Sequence, residues 1–127
     1  RLCALPAFWV GLLYDQTSLD AAWDLIKDMD SVSRVELRVA ASKDGLAAVV
    51  NDIKIIELAR RAIEISLAGL VARARHGVGG LVPDETHFLN ALHDSLETGM
   101  TPADELLQHF HGDWHGDLNK IYDQYSY

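Results

Sequence analysis

The chain has 127 residues, enough for one domain of ordinary size with a core of its own. Eleven Lys and Arg stand against nineteen Asp and Glu, a net charge of −8, so a nucleic-acid backbone and an anionic membrane surface are repelled and neither is expected as a partner. A single cysteine excludes an internal disulfide and fits a reducing cytoplasm.

The first stretch, RLCALPAFWVGLLYD, carries no charge from Leu2 to Tyr14. Pro6 suits the first turn of a helix, where its missing N–H costs nothing, and Asp15, Gln16 and Thr17 bring polarity back. Phe8, Trp9, Val10, Leu12 and Leu13 then point in all directions, which predicts a core helix of two to three turns, buried on every side. The run is shorter than the roughly 20 residues a bilayer requires. The start at Arg1, without an initiator methionine, together with this apolar end, suggests a piece cut from a larger protein. No small-residue cleavage site marks a secretory leader.

Thr17 or Ser18 can cap a second helix with an apolar face of Leu19, Ala22, Trp23 and Ile26, running to about Met29. From Ser31 to Lys43 the residues Val35, Leu37, Val39 and Ala41 alternate as a strand would, but Ser33 and Glu36 have capping-box spacing, and a helix stopped by Gly45 is expected. Ala47 to Ile53, β-branched around Asn51 and Asp52, predicts a small extended turn. The longest helix, from about Ile53 to His76, would reach roughly 35 Å. Ile56, Ile63, Leu67 and Leu70 line one stripe and Leu58, Ala62, Ile65 and Ala72 a second, so two neighbours are expected. Lys54, Glu57, Arg61 and Glu64 form a solvated strip, with Glu57–Arg61 and Arg60–Glu64 spaced for weak pairs.

HGVGGLVP, from His76 to Pro83, breaks that helix and reads as a connector, since a phosphate-cradling loop usually follows a strand. Asp84 or Thr86 then begins a helix through Phe88, Leu89, Leu92 and Leu96, which Gly99 stops. Thr101 caps the next, with Pro102 in its first position and Asp104 as the capping-box acid, and Leu106, Leu107 and Phe110 are expected to bury its face. Trp114, Ile121, Tyr122, Tyr125 and Tyr127 make the tail too aromatic for a solvated end, so it is expected to dock. The fold class is all-α, one irregular helical unit.

His109, His111, Asp113 and His115 have the composition of a zinc or nickel site. Two residues apart on a helix, His109 and His111 face different ways, and an ordinary polar helix end is the better reading. No GxSxG or nucleophile-base-orienter order exists, and Cys3, in apolar surroundings, reads as inert. The residues themselves show no catalytic constellation and no metal site.

RLCALPAFWVGLLYD closely resembles the start of the C-terminal helical region of glutamate-cysteine ligase in its plant and proteobacterial class, and TGMTPADELL (Thr98 to Leu107) resembles the family's GxTPAExLL segment. The resemblance implies that residues 1–127 are a single helical C-terminal segment of a larger catalytic domain, in a glutamine-synthetase-like α+β ligase. It implies an ATP-dependent enzyme that joins L-glutamate to L-cysteine through γ-glutamyl phosphate, with Mg²⁺ neutralising the phosphates, in the first step of glutathione biosynthesis. ATP and Mg²⁺ would be held mostly by the upstream sheet of the same enzyme, so the segment alone would be inactive. Arg1, Phe8 and Trp9 would bind substrate, Arg1 meeting an anionic group and the two rings excluding water. For Trp9 core and substrate wall both stand, and for Phe8 core is preferred. Cys3 matches the position of a redox-regulatory cysteine in plant members. The alternatives are a related γ-glutamyl ligase with another amine acceptor, or a stand-alone helical interaction module; a helix left uncovered can also pair with a second copy in a homo-oligomer.

Overall fold

The computed structural model describes residues 2–76 and 84–125. Arg1, the glycine-rich connector from 77 to 83 and Tyr127 lie outside the described residues. Among the described residues the architecture is all-α apart from one two-stranded ribbon, with helices α1 (Ala4–Leu13), α2 (Gln16–Ile26), α3 (Ser31–Asp44), α4 (Ile55–His76), α5 (Asn90–Thr98), α6 (Pro102–His111) and α7 (Lys120–Tyr125).

Helix α1 starts two residues before Pro6, which still falls in the first turn, where no backbone donor is needed. Its burial differs from the sequence expectation. Ala4, Ala7, Gly11 and Leu12 are buried, whereas Leu5, Trp9 and Leu13 are 59%, 51% and 52% exposed. The small residues face α4 and let the two backbones come together, which turns the large side chains outward, where no described element covers them. α1 is therefore a core helix on one side only.

Asp15 and Asp30 are the caps of α2 and α3, each accepting a hydrogen bond from the backbone N–H three residues on, Ser18 at 2.9 Å and Ser33 at 2.6 Å. Both caps lie two or three residues before the Thr17 or Ser18 and the Ser33 that the sequence pattern favours. The helix over 31–44 stands against the strand-like alternation, and Gly45, at φ +58°, ends it. Leu37 is its one buried residue; Val32, Val35 and Val39 are exposed.

The expected extended turn is a hairpin of β1 (Val49–Val50) and β2 (Ile53–Lys54), antiparallel, with Val49 opposite Lys54 and Val50 opposite Ile53. Asn51 and Asp52 both take positive φ, +48° and +65°, as a two-residue type I′ turn requires. Asn51 Nδ2 donates to Glu36 Oε2 at 3.3 Å and ties the hairpin to α3.

Helix α4 is the spine against which α1, α2, the hairpin and α5 pack. Ala7, Leu70 and Leu89 form the centre of the core, with Phe8, Val10, Leu67 and Leu92 around it. On the solvated strip Arg60 pairs with Glu57 at 2.8 Å, three residues away, in place of the i,i+4 pairs expected from spacing. Beyond the connector a 3-10 turn (Thr86–Leu89) leads into α5, and Gly99, at φ +68°, closes that helix. The capping box of α6 is complete: Thr101 accepts from the Asp104 amide and Asp104 accepts from the Thr101 amide. The face of α6 is less buried than its apolar residues suggest, with Leu107 54% exposed. The tail folds back on α6 through Trp114, which is buried, stacks on His109, meets Tyr125 edge-on and donates Nε1–H to Gln124 Oε1 at 3.2 Å.

Candidate functional site

The α1–α4 contact fixes everything around the candidate site. Gly11 of α1 lies on Ser66, and Gly69 of α4 lies on the Gly11 carbonyl so closely that a Cβ at either glycine would fall inside the opposing backbone. Ser66, fully buried, donates its hydroxyl to the Phe8 carbonyl at 2.9 Å. This pins α1 both along and around its axis. The seam went unread in the sequence; its signal was a serine and a glycine inside the apolar stripe between Ile63 and Leu70.

Of the expected site residues, Phe8 and Trp9 are neighbours at 5.6 Å in an edge-to-face arrangement. Phe8 is half-buried against the core, whereas Trp9 faces outward. Both line a groove of about 280 Å³ between α1 and α2, completed by Leu12, Leu13, Trp23 and Ile26. The lining presents only apolar surface to the groove, so it offers no hydrogen bond to a carboxylate or a phosphate. Cys3 stands at the N-terminal end of α1 and is exposed, beside the apolar neighbours Leu2, Ala4 and Leu5 that the sequence shows.

At the other end of α1, Arg73 stands 4.9 Å over the Tyr14 ring and pairs through Nε with Glu85 at 3.0 Å, joining α1, α4 and the segment before the 3-10 turn. A charged depression of about 450 Å³ lies under the hairpin, with Asp52, Lys54, Glu57 and Arg61 around Leu25, Met29 and Leu58. His109 turns its Nδ1 to Asp113 at 3.3 Å and stacks its ring on Trp114. Among the described residues no three His, Cys, Asp or Glu side chains converge to hold a metal ion. The apolar groove itself does not fit ATP with its Mg²⁺.

The sequence pattern of glutamate-cysteine ligase family 2 matches residues 1–124. The chain belongs to this family. Among curated members of the family, the chloroplastic glutamate-cysteine ligase of Solanum lycopersicum is 36% identical over all 127 residues, and that of Arabidopsis thaliana also 36%. The chloroplastic glutamate-cysteine ligase A of Oryza sativa subsp. indica is 34% identical over the same span. The chain covers only 23% of the length of the tomato and Arabidopsis family members. Among the described residues no helix is long and apolar enough to cross a membrane.

Proposed function

We propose that the chain is the C-terminal helical part of an ATP-dependent glutamate-cysteine ligase that forms γ-glutamylcysteine from L-glutamate and L-cysteine. The observation that carries this reading is family similarity over the entire chain together with its coverage of under a quarter of the relatives' length. ATP and Mg²⁺ are held mostly by residues outside this chain, in an upstream sheet of the same enzyme. Within it, Arg1 meets an anionic group of a substrate, while Trp9 and the edge of Phe8 form an apolar wall that keeps water from the reacting γ-carboxyl group. The outward position of Trp9 supports that role, because a ring already enclosed by the chain's own core is not available as a wall.

The test is made on the full reading frame that contains this chain, purified and supplied with glutamate, cysteine, ATP and Mg²⁺. γ-Glutamylcysteine, identified by mass, is expected from that protein and not from residues 1–127 alone. Formation of a γ-glutamyl product only when another amine replaces cysteine would move the reading to a related γ-glutamyl ligase. No product with any amine would overturn it.

A further inference from the structure

We infer that the groove between α1 and α2, around Leu13, Trp23 and Ile26, is the seat of an apolar segment of the remaining ligase polypeptide. The inference rests on the reading of the chain as part of a larger ligase and adds where that remainder docks. Three observations lead to it. First, α1 cannot turn to hide its outer side chains, because the Gly11–Gly69 approach and the Ser66 hydrogen bond to Phe8 fix its rotation. Leu5 and Leu13, on its outward side, therefore keep their exposure until something external covers them.

Second, the lining is wholly apolar. Around Leu13, Trp23 and Ile26 a carboxylate or phosphate would lose its hydration without gaining a hydrogen bond, whereas an apolar helix or strand face gains by burial. Third, the curated relatives carry more than three-quarters of their length outside the span that matches this chain, since that span is 23% of the whole. Polypeptide on the same protein is present at high effective concentration and pays little association entropy. A second copy of the chain, by contrast, brings another net charge of −8 against the first.

Hydroxyl-radical footprinting of the full-length ligase, without substrates, tests the assignment, with the chain's own tryptophans as standards. Trp114 is buried by this chain itself, at 5% exposure, whereas Trp23 is 61% exposed within it. In the full-length protein Trp23 is expected to be modified no faster than Trp114, and this protection is expected to persist on dilution. Modification of Trp23 several-fold faster than Trp114 would overturn the inference. Protection that disappears on dilution would also overturn it and assign the groove to a second copy. Product formation is measured on the same preparation. Activity with an unprotected Trp23 removes the docking assignment alone, and a protected Trp23 without activity removes the ligase reading alone.

Discussion

At Gly69 an added methyl group has nowhere to go. A helix interior ordinarily gains about 0.5–1 kcal/mol when glycine becomes alanine. Here the new Cβ meets the Gly11 backbone, which cannot move aside as a flexible side chain would. Gly69→Ala is therefore expected to reverse the usual sign and destabilise by about 3 kcal/mol, read as a lower urea midpoint. Ser66→Ala tests the same seam more gently. It removes the hydrogen bond to the Phe8 carbonyl and is expected to cost about 1 kcal/mol, because that carbonyl lies within α1 and is not left wholly without a partner. These residues were the least legible part of the sequence. Period alone marks which positions of α4 face inward, but whether glycine there means a close backbone approach or merely a weak helix is decided by the helix lying across it.

At the scale of elements, the helix starts carry a pH dependence. Hydrogen bonds from the Thr101 hydroxyl and then its amide hold Asp104 below the usual aspartate range, the Thr86 hydroxyl and amide do the same for Asp84, and the Ser33 amide does so for Asp30. A depressed folded-state value means that the cap's contribution is fully present above the unfolded aspartate value of about 4 and is lost as pH falls through the lower folded value. Amide exchange at Ser33 and Asp104 is thus expected to be slow at neutral pH relative to an uncapped helix start, and protection is expected to fall once the solution passes below about pH 4. Asp104→Asn, which cannot titrate, should remove the acid-dependent step at α6 while leaving that at α3. Element identity was legible because these signals are local: the Thr101-Pro102-Asp104 box, the Asn51-Asp52 turn and the glycines at 45 and 99 act through their own neighbours in the chain. Cap positions at Asp15 and Asp30 shifted because several adjacent polar residues could each serve, and only the backbone conformation selects one.

On the scale of the whole molecule, the large apolar residues left outside form a pattern no single helix explains. Leu5, Trp9 and Leu13 on α1, Trp23 and Ile26 on α2, and Val32, Val35 and Val39 on α3 all remain exposed. The sequence predicted a buried first helix because it counted side chains; burial depends on how many partners arrive, and the described part of this chain supplies cover for one side. Residues 1–127 expressed alone are accordingly expected to bind an environment-sensitive dye such as anilinonaphthalene sulfonate strongly. Trp23→Glu should weaken that binding in the isolated chain. In the full-length ligase the same substitution is expected to lower the melting temperature instead, since it would place a charge where an apolar segment docks. The candidate site was legible only through resemblance: Phe8 and Trp9 do line one groove, but its wholly apolar character follows from which residues of α2 lie opposite.

The contact between α1 and α4 also has a meaning in inheritance. Every amino-acid-changing single-base substitution in a glycine codon installs a side chain, so neither Gly11 nor Gly69 has a conservative neighbour within one mutational step. Silent changes aside, variation at these two codons is expected to be absent from healthy populations of the source organism, while neighbouring Ala68, exposed on the same helix, drifts freely.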